Sequence, residues 1–206
     1  MNAKALCAIT IVGMVAVPVS SAAEREKFHH RIYGDGVGAE LVSVDTSTCT
    51  AGVETRVVVN ANQGESVENG YHLEGDYVSV LAVVFDRCKN VELLSVFGSG
   101  PAGDFQLNPN LKSASLRTSL TGIDSSNNSV DITVDLVWNG AGRADRTSDQ
   151  VRSRFGVYTY ISNANGAIRD ASAGGSVVIG ALDVTPLPST TGFIETDSTR
   201  SLTIYR

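Results

Sequence analysis

From residue 24 onward the chain hardly ever places apolar residues three and four apart, the spacing of a helix face. Apolar and polar positions alternate instead, or short β-branched runs recur. The clearest case is residues 131–138. Ile132, Val134, Leu136 and Trp138 share one face, and Asp131, Thr133 and Asp135 take the other. That pattern predicts a strand with one buried side. The polar stretch 124–129 joins it to a second alternating run at 112–123, which predicts a hairpin. Residues 77–86 are apolar on both faces, which predicts a central strand covered on both sides. It is expected to turn at 87–90 and pair with residues 91–97.

Residues 154–162 alternate again, with Phe155, Val157 and Ile161 on one face and Tyr158 and Tyr160 on the other. Asn165-Gly166 then predicts a tight turn, because both residues accept positive φ, and residues 167–173 return. Further strands are expected at 29–33, 39–45, 54–61, 176–182 and 201–205. Gly34-Asp35-Gly36-Val37-Gly38 reads as a turn between the first two, and Glu65 and Glu68 as part of a solvated loop. Glycine-rich breaks are expected at 98–103, 140–142 and 174–175. The fold class that follows is all-β: a single antiparallel β-sandwich domain of about nine to eleven strands over residues 24–206.

Residues 1–23 do not belong to that domain. Lys4, the apolar run 5–19 and the small residues Ser20-Ser21-Ala22-Ala23 have the layout of a cleaved Sec-type signal peptide. The run is shorter than the roughly 20 residues that span a bilayer. An exported protein, periplasmic or secreted, is expected, with no transmembrane segment in the mature chain. An outer-membrane barrel is the competing exported all-β class, and the missing polar face of 77–86 opposes it.

Cleavage changes the arithmetic. The full chain of 206 residues has 16 basic and 22 acidic side chains, a net charge of −6. Removing Lys4 leaves 15 basic against 22 acidic, or −7. That balance argues against a nucleic-acid partner. Of the three cysteines Cys7 goes with the leader, and Cys49 and Cys88 remain. Two cysteines in an oxidising compartment predict a disulfide.

Candidate chemistry is sparse. No G-x-S-x-G elbow occurs, and a triad would have to recruit His29, His30 or His72. His29 and His30 are adjacent, so on a strand they face opposite ways. No H-x-H, H-E-x-x-H or C-x-x-C spacing suggests zinc. No catalytic residue, metal site or cofactor is therefore expected. Calcium, which needs only oxygen ligands, is left open at the stretches 124–131 and 163–170. Two features suit binding. Tyr158 and Tyr160, if outward, could stack on sugar rings or anchor a partner. Arg152 and Arg154, in the run 143–154 with Arg143 and Arg146, could contact an anionic group.

The stretch Asp131 to Gly142, followed by Arg169-Asp170-Ala171-Ser172-Ala173-Gly174-Gly175, resembles small exported bacterial β-proteins, whose pattern is a V-D-x-T/V-x-x-W-x-G-x-G strand with an R-D-A-x-A-x-G strand further on. The resemblance spans about a quarter of the mature chain. It implies exported all-β character and brings no catalytic residue. The reading that results is a non-enzymatic exported β-sandwich with a binding or structural role, its ligand a glycan or a protein. A hydrolase assembled from distant residues and a surface-assembly subunit are the alternatives.

Overall fold

A computed structural model describes residues 26–184 and 190–205. Residues 1–23, expected to be a signal peptide, lie outside the described residues. Among the described residues the fold is antiparallel β, in eleven strands and with no helix. These are β1 (Lys27–Asp45), β2 (Val53–Glu68), β3 (Tyr71–Asp86), β4 (Val91–Gly100), β5 (Asp104–Leu107), β6 (Ser113–Asp124), β7 (Ser129–Gly140), β8 (Asp145–Phe155), β9 (Tyr158–Ile179), β10 (Leu182–Val184) and β11 (Thr191–Tyr205). The expected all-β antiparallel class and strand number are what the chain adopts.

The pairings close on themselves. β1, β2, β3, β4, β6, β7, β9 and β11 follow one another around a circuit, because β7 pairs with both β6 and β9. The two layers of the sandwich thus share strands at their sides. The alternation rule decides what points inward. Val37, Ala39 and Leu41 of β1 face the core with Val57, Val59 and Ala61 of β2 and Val78, Val80 and Ala82 of β3. Ile132, Val134, Leu136 and Trp138 of β7 meet them from the other layer. The only tryptophan is fully buried, and its Nε1–H donates to the Gly38 carbonyl of β1 at 2.8 Å. This apolar interior is the reverse of the polar lumen of an outer-membrane barrel.

One end of the circuit is stapled. Cys49, in the β1–β2 connection, pairs with Cys88, in the β3–β4 turn, with Cα atoms 6.4 Å apart. Asp86 shapes that turn: its Oδ1 accepts from the Cys88 and Lys89 backbone N–H groups at 2.9 and 3.0 Å. The Lys89 N–H is the main reason the Asp86 carboxyl sits below the usual carboxylate range.

Several expected boundaries move. The Gly34–Gly38 stretch lies inside β1, which joins two expected strands into one. Its glycines leave room for neighbours on the outer face: a Cβ on Gly38 would collide with the Phe193 ring. Glu65 and Glu68 lie on β2, not in a loop. Asn165-Gly166 lies in the middle of β9, and the turn comes earlier, at Gly156-Val157, with Gly156 at φ +53°. Gly174-Gly175 stays within β9 rather than breaking it. Residues 77–86 are central, between β2 and β4, but covered on one face only. Leu81 and Tyr77 are exposed opposite the buried Val78, Val80 and Ala82.

Candidate functional site

β1, β2, β3, β9 and β11 are longer than the circuit needs. Beyond it they continue as one open layer, with β8 added on the far side of β9. The order across this wing is β8–β9–β11–β1–β2–β3. β8 is exposed along almost its whole length, and no second sheet layer lies over the wing among the described residues. The wing is therefore a six-stranded sheet with two accessible faces, anchored by strands whose other halves form the core.

Directly opposed residues in an antiparallel ladder share a face. That rule sorts the side chains of the wing. Phe155 pairs with Tyr158, and Tyr158 with Tyr205, so these rings lie on one face. Phe28 of β1 joins them. Ring centroids are 5.7 Å apart for Phe155 and Tyr158, 5.8 Å for Tyr158 and Tyr205, and 5.5 Å for Tyr205 and Phe28. A continuous aromatic row thus crosses β8, β9, β11 and β1 at the wing tip. Tyr160 lies two residues further along β9 on the same face, opposite Thr203. Phe155 was expected opposite the tyrosines. The intervening hairpin turn puts it beside them instead.

Arg152 and Arg154 occupy the other face, since they pair with Ile161 and Thr159. The fold brings Tyr158 and Tyr160 together and separates both from the two arginines. Of this candidate set, the row partners Phe28 and Tyr205 were not legible. They reach the site only through ladders that join the two ends of the chain.

Two histidine contacts also escaped the sequence reading. His30 Nε2 lies 3.0 Å from Ser66 Oγ, and His72 Nδ1 donates to Glu65 Oε1 at 2.8 Å. Both are made across ladders, His30–Ser66 between β1 and β2 and His72–Glu65 between β2 and β3. His29 and His30 face opposite ways, as expected of neighbours on a strand. Among the described residues no carboxylate bonds the His30 ring, and the His72 side chain is 61% exposed. An open apolar hollow of about 460 Å³, lined by Leu94, Val96, Val130, Ile179 and Leu182, holds neither a histidine nor a carboxylate.

Near the start of the wing lie the carboxylates Asp35, Glu195 and Asp197. Asp35 is buried, and its Oδ2 accepts from Tyr33 Oη at 3.3 Å and Gln63 Nε2 at 3.4 Å. Burial raises Asp197 above the usual carboxylate range, and the Asp35 charge adds to it. Burial likewise raises Glu195, with Asp197 adding. Among the described residues no three His, Cys, Asp or Glu side chains are grouped to hold a metal ion. Of the two stretches left open for calcium, 163–170 is strand rather than loop. In the other, Asp124 Oδ1 accepts from the Ser126 and Asn128 backbone N–H groups.

No helix of the described residues is long and apolar enough to cross a membrane. No family model matches the chain, and no curated protein or solved structure is significantly similar to it.

Proposed function

We propose that this chain is an exported, non-enzymatic binding protein whose contact surface is the aromatic row at the wing tip. The row itself carries the reading. Four aromatic rings on four adjacent strands lie on a sheet face with no layer over it among the described residues. In the core such rings would be enclosed, whereas here Phe155 and Tyr205 are exposed. A strip of rings with phenolic hydroxyls suits a ligand that offers both apolar faces and hydroxyl or amide groups, a glycan or an extended protein segment. The paired Cys49 and Cys88 favour an oxidising compartment, in keeping with export. Neither histidine contact carries the further groups that a hydrolase reading needs.

The test is a glycan array and a partner capture with the mature chain and its Tyr158→Ala/Tyr160→Ala variant. Binding by the parent and its loss in the variant are expected. An aromatic cross-strand contact is worth about 0.5–1.5 kcal/mol, so Tm should fall by only a few degrees. A ligand that binds both proteins alike overturns the reading. So does a fall in Tm large enough to place the tyrosines in the core.

A further inference from the structure

We infer that copies of this chain join head to tail through the wing, strand β8 of one copy pairing antiparallel with residues 71–77 of β3 on the next. Among the described residues both edges are open: β8 pairs only with β9, and residues 71–77 pair only with β2, since β4 begins to cover β3 at Val78. An exposed edge is a template for another strand. Five antiparallel steps separate β8 from β3, so the two edges run in opposite directions. A copy displaced sideways therefore brings its β8 antiparallel to β3, with like faces together.

Charge selects this pairing over the others. On the face that continues the core side, β8 carries Arg146, Arg152 and Arg154, and β3 carries Glu74 and Asp76. None of these five forms an ion pair among the described residues. Glu74 even stands directly opposite Glu65, which is engaged by His72. Pairing β8 with another β8 about a two-fold axis would oppose arginine only to arginine or to neutral residues on that face. On the other face it could bring Asp145 and Asp149 together. Pairing β3 with β3 would bring Glu74 and Asp76 together. Like charges across a ladder destabilise it. Only the mixed pairing sets opposite charges against each other.

β4 also limits the register. With the two edges level, as they are across a single wing, Arg146 falls opposite Asp76 with Glu74 diagonal to it. Thr147 then falls opposite Gly75, and Val151 opposite Tyr71. Each copy keeps one free edge of each kind, so the contact is heterologous and does not close by itself. Charges placed merely to block edge pairing could carry any sign, and they would leave the protein monomeric.

This inference does not rest on the aromatic-row ligand, and Tyr158→Ala/Tyr160→Ala should associate like the parent. The mature chain is followed by sedimentation velocity at rising concentration and low salt. Species larger than dimers are expected. Arg146→Glu alone, and Glu74→Lys/Asp76→Lys alone, should each weaken association about tenfold, from the exchange of attraction for repulsion across the ladder. Mixing the two variants should restore it, because each then offers the edge the other lacks. Thr147→Cys/Gly75→Cys should give a ladder of disulfide-linked copies. A Cβ on Gly75 meets no atom within 4 Å, and the two edges of one wing are roughly 24 Å apart, so the link can form only between copies. A parent that stays monomeric at millimolar concentration overturns the inference. So do reversal variants that associate like the parent, a mixture that stays monomeric, and cysteine pairs that fail to cross-link.

Discussion

Trp138→Phe tests whether the two layers are held across the core as the structure describes. The indole is fully buried on β7, and its Nε1–H donates to the Gly38 carbonyl of β1. Phenylalanine removes that donor and part of the ring. A hydrogen bond of this kind contributes about 1 kcal/mol net, and more where its acceptor is left unsatisfied. Shrinking a buried aromatic adds roughly 1–2 kcal/mol, given the 3–5 kcal/mol of a full truncation to alanine. The expected loss is about 2–3 kcal/mol, out of the roughly 5–15 kcal/mol that a folded domain has.

Urea unfolding reads this loss. With a slope of about 2 kcal/mol per molar, the midpoint should fall by roughly 1–1.5 M at unchanged slope. Trp138 is the only tryptophan, so the parent transition can be followed by its emission and the variant by circular dichroism. Acrylamide should quench the parent emission poorly in the native state and well in urea. A Trp138→Phe midpoint within about 0.3 M of the parent, or native emission quenched as freely as in urea, would refute the packing argument.

Two further outcomes follow from the staple and from two carboxylates whose values are raised. The Cys49–Cys88 bridge spans 39 residues, and closing a loop of that size is worth about 4 kcal/mol in the chain-entropy treatment. Cys49→Ser/Cys88→Ser should therefore lower the urea midpoint by roughly 2 M, and an unchanged midpoint would exclude the bridge. Glu195 and Asp197 are raised by burial, so between the ordinary carboxylate range and their raised values the folded state holds protons that the unfolded chain has released. Stability should rise as pH falls through that window, then drop at lower pH as Asp45, Asp86 and Asp124, whose values are lowered, become protonated. Glu195→Gln/Asp197→Asn should flatten the upper branch of the melting profile. An upper branch that keeps its slope in this variant would mean that other groups cause it.

The sequence was most readable where one face is buried. The alternation of residues 131–138 mapped directly onto β7, and the hairpin with β6 followed. In the wing no apolar side chain is buried on either face, so nothing marks the strand period. Glu65, Glu68 and Asn165-Gly166 looked like loops for that reason, and they lie on strands because the core halves of β2 and β9 carry them into the ladder. Gly34, Gly36 and Gly38 looked like a turn because glycine normally marks one. Here they make room for side chains of the neighbouring strands. The aromatic row was half legible, since Tyr158 and Tyr160 are close in sequence whereas Phe28 and Tyr205 come from the far ends of the chain.

A single-layer sheet cannot hold itself together by burial, so its order has to come from elsewhere. Five of the six wing strands are extensions of core strands, and only β8 belongs to the wing alone. Register in the wing is thereby set in the core. Slipping β1 against β2 by one residue would turn Val37, Ala39 and Leu41 away from the interior. The wing side chains are thus free of packing duty, and their identity can follow what they contact. One face carries the aromatic row, and the two edges carry opposite charge on the other face. β8 contributes Phe155 to the first and Arg146 to the second. Replacing residues of β8 should accordingly change contacts with other molecules far more than it changes the stability of the core.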